Sequence, residues 1–559
     1  MAKNFDYLKA MPEFTTLYNR CDQAETFCKS DPDKSAMGCR RSLEWTVELI
    51  YRLNHWEITP RMTLFEKVTD EKFVDFINSR DLIQKLHYVR SVGNRAAHAG
   101  GVSKTDCENA VVDIYYFIGD VLMLLGYIER YPKFDRALLP EKGEPAMVVI
   151  TTEETTKQIE AAAKAAKPIE KPAAEVLVAH NPDNLSEAET RKIYIDEMLR
   201  EAGWEISEAD NVVVSGKACV EIEVNGMPNP SGKGYADYVL FDTDGMPLAV
   251  VEAKKTSVDP VVGKTQAQLY AKCLAARFGV MPVVYYTNGF ETNIIDGLGY
   301  PARTIYGFHT REDLQRIIQK RGRQDIVDML AKEIIVNRDY QIRAVKRVCE
   351  HFNTKHRKAL LVMATGTGKT RVSIALVEVL LRNNWVNNVL FLADRTALVE
   401  QAFGKFNTYL PDETKCNLCD PRQARNLDAR LLFSTYQTMI NFIDTEEKAF
   451  SVGRFDLIII DEAHRSVFGK YGAIFEYFDS LLVGLTATPR EEIDRSTYRL
   501  LDLEDGEPND FYEFDEAVKD GHLVNFEAYR YDSDILKNGI GYAPLLGIFK
   551  EGLLVNEKD

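Results

Sequence analysis

Met363 to Thr370, M-A-T-G-T-G-K-T, is the stretch of sequence that decides the fold of this chain. It follows an apolar run that predicts a buried strand, and Arg371 to Leu381 has the pattern of a helix. The glycine turn between them allows backbone N–H groups to wrap a phosphate at the helix N-terminus. We expect Lys369 to reach the terminal phosphates and Thr370 to ligate Mg²⁺. The predicted phosphate-binding residues are Thr365, Gly366, Thr367, Gly368, Lys369 and Thr370.

A second motif, D-E-A-H from Asp461 to His464, fits the same site. The preceding run, Phe455 to Ile460, suits a central parallel strand, and such a strand delivers the next residues to the edge where α/β sheets bind ligands. Asp461 suits Mg²⁺, and Glu462 suits activation of the attacking water. Alone, the motif is equally compatible with a solvated helix start, but the phosphate loop upstream favours a nucleotide site.

The phosphate loop, D-E-A-H and T-A-T-P (Thr486 to Pro489) together resemble the motif series of superfamily 2 helicases and translocases. The resemblance implies that Gln341, in R-D-Y-Q, reads adenine and that His464 belongs to the ATP site. Met363 stands where the family usually has Gly or Ala, so we expect its side chain to serve packing. A doubly wound parallel sheet, RecA-like in this family, is predicted from strands that alternate with helices near Leu361, Leu390, Leu432, Ile459 and Val483.

A second candidate site lies upstream, on two β-like runs joined by an Asp-Gly turn that favours a hairpin. Asp237 is on the first run, and Glu252 and Lys254 share one face of the second. Such a trio suits metal-assisted phosphodiester hydrolysis: Asp237 and Glu252 hold Mg²⁺, and Lys254 stabilises charge on the water or phosphate. The pattern is short, and a solvated hairpin is the alternative explanation.

Gln266 and Tyr270 are four residues apart, on one helical face. This Q-x-x-x-Y element and the D…E-x-K pattern, placed ahead of superfamily 2 motifs, resemble the restriction subunit of type I restriction-modification enzymes. The resemblance covers roughly residues 181 to 535 and implies catalytic roles for Asp237, Glu252, Lys254, Gln266 and Tyr270. Ala236 replaces the Pro that many such nucleases carry. We leave out Glu189, because Ser186 to Glu189 is an S-x-x-E capping box.

The resemblance implies ATP-driven translocation along duplex DNA and Mg²⁺-dependent cleavage of unmodified DNA, with ATP and Mg²⁺ as cofactors. It also implies a methyltransferase subunit and a specificity subunit as partners, the latter choosing the target sequence. Two alternatives stay open. One is a self-contained nuclease and motor without methyltransferase partners, and the other is a remodelling ATPase or binding module whose nuclease fold is inactive.

Composition is compatible with this interpretation. The net charge of −16 argues against a generally basic DNA-coating protein, and the basic clusters at 320–323 and 355–358 are predicted to be solvated faces. Nine scattered cysteines and no apolar run long enough for a membrane span predict a cytoplasmic protein. Cys416 and Cys419 form a C-x-x-C without a second pair, so we expect a surface loop.

We predict an α/β multidomain chain: a helical domain over 1–140, a linker over 141–183, a restriction-endonuclease-like α/β domain over 184–320 and a first RecA-like lobe over 321–535. The Ala/Lys/Glu-rich composition and the prolines predict that this linker is partly helical. Within the helical domain, Arg90 to His98 is similar to the signature of helical domains of which some cleave RNA. A helix end with a satisfied His98 is the favoured alternative.

Residues 536–559 are expected to begin a connection to a second lobe that is missing from the sequence. Superfamily 2 motors take arginine fingers from that lobe, and no Q-x-x-G-R-x-x-R motif follows Pro489. Because an arginine finger contributes about 10³ to 10⁵ in rate, we expect these 559 residues alone to bind ATP weakly and to show negligible DNA-stimulated ATPase activity. The natural product is expected to extend well beyond Asp559.

Overall fold

The structure is a computed structural model, and it separates the chain into two units, Met1–Tyr512 and Glu513–Asp559. The first unit contains a helical domain, a mixed-sheet domain and a parallel-sheet domain, in that order along the chain. The second unit contains α19 (Phe514–Lys519). The structure describes residues 3–59, 62–98, 101–141, 151–169, 171–177, 186–207, 209–256, 258–323, 325–326, 332–422, 425–444, 449–463, 465–488, 493 and 495–525.

The helical domain is built around α2 and α6, which pack on their neighbours through one large apolar core. Asp31 caps α2 by accepting the N–H of Lys34, and Ser103 caps α6 by accepting the N–H of Asp106, so both long helices begin at a side-chain oxygen. Its helices are α1 (Thr15–Phe27), α2 (Pro32–Leu53), α3 (Leu64–Thr69), α4 (Glu71–Ile77), α5 (Arg80–His98), α6 (Lys104–Leu124), α7 (Thr152–Ala165) and α8 (Ala173–Val176).

The segment predicted as a linker, 141–183, contains α7 and α8, and α7 packs on the helical domain. Ile159 and Ala162 of α7 are buried in the apolar core of that domain, and the side chain of Gln158 accepts the N–H of Thr16 at 2.7 Å. The helical part of the predicted linker therefore packs on the helical domain. Its polar composition is that of a linker, but one face carries apolar residues at helical spacing and is covered by α1 and α2.

The mixed-sheet domain has six strands in the order β1-β2-β3-β4-β5-β6, of which only the pair β3 and β4 is parallel. One face packs on α11, and the other packs on α10 and α12. Its elements are α9 (Glu187–Thr190), a π-helical turn (Arg191–Ile195), α10 (Asp196–Glu201), β1 (Ala218–Asn225), β2 (Lys233–Phe241), β3 (Pro247–Ala253), α11 (Val261–Phe278), β4 (Val283–Thr287), β5 (Thr292–Ile295), β6 (Arg303–Ile305) and α12 (Arg311–Gln319).

The parallel-sheet domain has seven strands, all parallel, in the order β13-β7-β12-β11-β8-β10-β9. All five predicted strands are present, which confirms the α/β class and the parallel sheet. Its elements are α13 (Asp339–Asn353), β7 (Lys358–Met363), α14 (Lys369–Arg382), β8 (Val389–Ala393), α15 (Thr396–Tyr409), β9 (Lys415–Asn417), β10 (Leu431–Thr435), α16 (Tyr436–Asp444), β11 (Leu457–Asp461), α17 (Arg465–Tyr477), β12 (Leu481–Thr486), α18 (Arg495–Leu500) and β13 (Asp510–Tyr512).

Buried ion pairs join the mixed-sheet domain to the starting ends of the central parallel strands. Arg303 donates to both carboxylate oxygens of Asp479, at 2.7 and 2.6 Å, and Arg357 donates to the same carboxylate at 2.7 Å. Lys320 pairs with Asp456. We call these five residues the interdomain joint. The prediction that the two basic clusters are solvated faces is wrong for Lys320 and Arg357, because both pair with buried carboxylates.

Candidate phosphate-binding and hydrolytic sites

The phosphate loop lies between β7 and α14, as the sequence predicts for its elements. Gly366 and Gly368 have φ values of +89° and +96°, in the left-handed region that glycine tolerates best. The hydroxyl of Thr367 is buried and donates to the carbonyl of Ala364 at 2.7 Å, which fixes the turn. Thr365 and Gly366 are exposed at the tip of the loop. The loop therefore presents backbone N–H groups at the start of α14, where an anion is stabilised.

Gln341 lies against this loop, on α13. Its side-chain amide N–H donates to the carbonyl of Thr367 at 2.8 Å, and the hydroxyl of Tyr340 donates to the same carbonyl at 2.8 Å. Gln341 is 2% exposed, and its side-chain oxygen has no hydrogen-bond partner among the described residues. A buried acceptor in this position suits a donor supplied by a ligand, such as an exocyclic amino group. Met363 is buried in β7, in agreement with a packing role.

Asp461 is the last residue of β11, and Glu462 follows it at the same sheet edge. Lys369 Nζ lies 3.2 Å from Glu462 Oε1, so the structure brings the phosphate-loop lysine and the acidic motif together. Glu462 has a φ of +55°, an uncommon conformation for a residue other than glycine. Burial and the neighbouring Glu462 carboxylate raise the pKa of Asp461 to about 6. Thr370 is the second residue of α14 and is partly exposed. His464 lies outside the described residues.

The mixed-sheet domain brings Asp237, Glu252 and Lys254 together. Asp237 lies next to Tyr238, which pairs with Val251, so its carboxylate faces the end of β3. Asp237 Oδ2 accepts the N–H of Ala253 at 2.7 Å, and Lys254 Nζ lies 2.6 Å from Glu252 Oε1. Both carboxyl residues are buried. The hairpin therefore carries its charges inward, and a solvated hairpin does not describe it.

Gln266 and Tyr270 lie on α11, which crosses this cluster. Gln266 Nε2 donates to the Tyr270 hydroxyl at 2.7 Å, and burial raises the pKa of Tyr270. Gly263 sits one turn earlier on the same helix, and a Cβ at this position would lie 3.0 Å from Glu252 Cγ. The tight approach of α11 places its polar residues beside the carboxylates.

Two residues of this site were missed at the level of sequence. Arg191, on the π-helical turn, has its Nη1 atom 2.6 Å from Asp237 Oδ1 and 2.5 Å from Glu221 Oε1. Glu221 has a φ of +51°, an uncommon conformation for a residue other than glycine, and in the register of β1 with β2 it lies opposite Asp237. Neither the π turn nor the left-handed backbone of Glu221 has a signature in the sequence. Glu189 forms the predicted capping box with Ser186.

The donor set of each site fits Mg²⁺. Mg²⁺ in proteins is usually held by one or two carboxylates and keeps several waters. Asp237 with Glu252, and Thr370 with Asp461, supply oxygen donors of this kind. The part of the chain that the structure describes contains no group of three or more His, Cys, Asp or Glu side chains arranged around a metal position. Cys416 is buried in β9, so the surface-loop prediction for this C-x-x-C is wrong.

Comparison with known proteins places these sites in a family context. A family model described as "Type III restriction enzyme, res subunit" matches residues 334–491, which include the phosphate loop and the acidic motif. The endonuclease subunit of the type I restriction enzyme EcoKI, from Escherichia coli K12, is 27% identical over 61% of this chain. The corresponding EcoAI subunit from Escherichia coli is 29% identical over 68% of this chain.

This chain is a relative of the type I restriction enzyme endonuclease subunits. It spans 35% of the EcoKI subunit and 48% of the EcoAI subunit, so it matches less than half of either relative. A solved fragment described as an HsdR subunit of a type I restriction enzyme from Vibrio vulnificus YJ016 is 27% identical to it. That match covers 60% of this chain and 61% of the fragment, with a TM-score of 0.28. Among the described helices, none combines the length and apolar character needed to cross a membrane.

Proposed function

We propose that this chain is the motor and nuclease part of a type I restriction enzyme, which moves along duplex DNA with ATP and cleaves unmodified DNA with Mg²⁺. One observation carries the proposal: two separate charged sites occupy two different sheets of one chain. Lys369 and Glu462 meet at the edge of the parallel sheet, and Asp237, Glu252 and Lys254 meet in the mixed sheet. We also propose that the domains divide at the boundaries predicted from the sequence, namely 1–140, 141–183, 184–320 and 321–535.

In the parallel-sheet domain, the loop N–H groups and Lys369 bind the ATP phosphates, and Gln341 accepts a hydrogen bond from adenine. Thr370 and Asp461 would hold Mg²⁺, and we add His464 to this nucleotide site. Glu462 orients the water that attacks the γ-phosphate, and its pairing with Lys369 holds the carboxylate at the loop. Lys369 leaves Glu462 for the phosphates when ATP binds, because a phosphate is the stronger partner for the ammonium group.

In the mixed-sheet domain, Asp237 and Glu252 would hold Mg²⁺, which supplies Lewis-acid polarisation of the scissile phosphate. Lys254 is held beside Glu252 and donates hydrogen bonds toward the attacking water or the phosphate oxygens. Gln266 and Tyr270 are hydrogen-bonded to each other at the same face and orient the DNA backbone. The N–H of Ala253 fixes the rotation of the Asp237 carboxylate.

The relatives are named as subunits of type I restriction enzymes, and we infer matching partners for this chain. These are duplex DNA, a methyltransferase subunit and a specificity subunit. Its nine cysteines are all free thiols, which suits a reducing cytoplasm.

The decisive test uses the chain assembled with its methyltransferase and specificity subunits. Asp237→Ala or Lys254→Ala is expected to abolish plasmid cleavage and to leave ATP hydrolysis unchanged, because the two sites are in different sheets. Lys369→Ala is expected to abolish both activities, and Glu462→Gln is expected to bind ATP without turning it over. Undiminished cleavage by Asp237→Ala would remove the nuclease assignment, and cleavage without any methyltransferase partner would favour a self-contained enzyme.

A further inference from the structure

Every carboxylate of the proposed nuclease site already has a cation of its own. Asp237 Oδ1 is 2.6 Å from Arg191 Nη1, while Asp237 Oδ2 accepts the N–H of Ala253. Glu252 Oε1 is 2.6 Å from Lys254 Nζ. Lys254 belongs to the proposed reaction, whereas Arg191 has no role in it. The oxygen that Arg191 contacts is not the one that accepts the N–H of Ala253.

A second carboxylate, beside that of Asp237, can hold the Arg191 guanidinium. Glu221 Oε1, at 2.5 Å from Arg191 Nη1, is a second carboxylate partner with a 34% exposed side chain, against 10% for Asp237. Both Arg191 and Glu221 line a cavity of about 1100 Å³, together with Lys192, Arg200 and Tyr235. The guanidinium can therefore leave Asp237, keep Glu221 as its partner and move toward the cavity.

The backbone that carries Arg191 is irregular. Arg191 begins the π-helical turn between α9 and α10. π-helical segments are rare, are mostly single turns inside α-helices and are frequent at functional sites. Glu221 is held in the left-handed region at +51° within β1, although the register of β1 with β2 is the same on both sides of it. Both ends of this ion pair thus rest on irregular backbone beside a regular sheet.

We propose that Arg191 is a positioning residue that occupies the cation position on Asp237 and competes with the divalent metal for it. This inference rests on the proposed nuclease function. A metal ion and the guanidinium both need Asp237 Oδ1, and their positive charges repel each other. Metal binding therefore requires Arg191 to shift onto Glu221. The apparent metal affinity is reduced by the fraction of molecules in which Arg191 is seated on Asp237.

The test measures Mn²⁺ binding to the 559-residue chain by calorimetry, without nucleotide, so that the phosphate-loop site lacks its substrate. Binding that disappears in Asp237→Asn is assigned to the nuclease site. Arg191→Gln is expected to tighten this binding about tenfold if Arg191 is seated in roughly nine molecules of ten. Lys192→Gln removes the same charge from the same cavity and is the matched control, with an expected change of less than about twofold.

A second variant is expected to change the Mn²⁺ affinity in the opposite direction. Glu221→Gln removes the place to which Arg191 moves, so Mn²⁺ binding is expected to weaken severalfold, whereas Glu223→Gln on the same strand removes an equal charge and stays near the original affinity. Unfolding midpoints identify any variant that fails to fold, and Arg191→Lys then replaces Arg191→Gln with a smaller shift of the same sign.

The outcomes distinguish a failure of the Arg191 proposal from a failure of the nuclease proposal. Binding that depends on Asp237 and is equal in the parent chain and Arg191→Gln overturns the competition by Arg191 and leaves the nuclease proposal standing. A shift of the same size in Lys192→Gln also overturns the competition by Arg191, because the loss of one positive charge from the cavity would then explain the affinity of both variants. A parent chain without any Asp237-dependent Mn²⁺ binding would instead count against the metal-dependent nuclease itself.

Discussion

Single residues of the phosphate loop are fixed by geometry as well as by chemistry. Gly368 has a φ of +96°, and a Cβ at this position would lie 2.6 Å from Gln341 Nε2, the atom that donates to Thr367. The motif predicted a glycine here for the turn. The structure adds that the residue also leaves room for the glutamine amide, which links the loop to the proposed adenine contact.

Gly368→Ala is therefore expected to weaken ATP binding by about tenfold or more, since a left-handed non-glycine residue costs roughly 1–2 kcal/mol before the displacement of Gln341 is included. Titration with a fluorescent ATP analogue measures this change. Gly404→Ala is the matched control, because nothing lies within 4 Å of a Cβ at Gly404 in the middle of α15. Equal affinity in both variants would show that the loop tolerates a side chain.

Where a regular pattern is present, the sequence predicts which of the candidate residues lie together in the structure. Alternation along a hairpin is enough to put Asp237, Glu252 and Lys254 on one face. Arg191 and Glu221 were missed because Arg191 lies on a π-helical turn and Glu221 has a left-handed backbone, and the sequence pattern predicts neither feature. The left-handed backbone of Glu462 has no signature in the motif either.

At the scale of elements, the short helix α3 connects the helical domain to the parallel-sheet domain, which is distant from it in sequence. Phe65 belongs to the helical domain, yet its ring is buried in the core of the parallel-sheet domain. Its centroid lies 5.5 Å from that of Tyr306 and 6.2 Å from that of Tyr477, both edge to face. A six-residue helix gives too short a pattern to predict this contact, and the residues it meets are far away in sequence.

Phe65→Ala is expected to lower the free energy of unfolding by about 3–5 kcal/mol, the range for removing a buried phenyl ring. Thermal or urea denaturation of the 559-residue chain measures the loss. Val74→Ala on α4 serves as the control, because Val74 is 37% exposed and its truncation should change stability by less than about 0.5 kcal/mol. Similar losses in the two variants would argue against a contribution of α3 to the second core.

The contact between α5 and α10 contains a buried carboxylate whose ionisation is expected to depend on pH near neutrality. Glu197 on α10 is buried, and its carboxylate lies 2.8 Å from Arg95 Nη2 on α5. Burial raises the pKa of Glu197 to about 7, although Arg95 acts to lower it. Because the pKa of Glu197 is higher in the folded state than in the unfolded state, protonation of Glu197 favours folding. This contribution to stability is complete below the unfolded pKa near 4.5 and is lost as pH rises through about 7.

Stability is therefore expected to fall by about 2–3 kcal/mol between pH 4.5 and pH 8 through this one group. Glu197→Gln cannot ionise, so its unfolding midpoint should fall less than that of the parent chain across this range. Melting curves at half-unit pH steps give the comparison. Parallel curves for the two proteins would mean that Glu197 titrates normally in the folded chain.

At the scale of the whole molecule, the interdomain joint lies under the strands that carry the nucleotide site. Arg357 directly precedes β7, Asp456 directly precedes β11, and Asp479 lies two residues before β12. These strands end at the phosphate loop, at the acidic motif and at T-A-T-P. The sequence predicted the order of the domains but not this joint, because the two basic clusters carry no sign of the carboxylates they meet.

Asp479→Asn is expected to cost about 3–5 kcal/mol of stability, because the substitution leaves the largely buried Arg357 without its carboxylate and Arg303 with Asp296 alone. Burial raises the pKa of Asp479, yet both guanidinium groups outweigh it and hold the pKa well below its ordinary value. The carboxylate is thus ionised at neutral pH. Asp502→Asn, which removes the 71% exposed partner of Lys358, is the control and should cost less than about 1 kcal/mol. Denaturation curves that coincide for the two variants would contradict the joint.

The interdomain joint also limits which recombinant genes can encode a chain that folds well. Arg303 and Lys320 come from one domain, whereas Arg357, Asp456 and Asp479 come from the next, so a recombination event between them would unite halves from different parents. A hybrid gene would fold well only if both parents had kept the same signs of charge at these five places. A reversal of charge on one side would persist in a lineage only after a compensating reversal on the other.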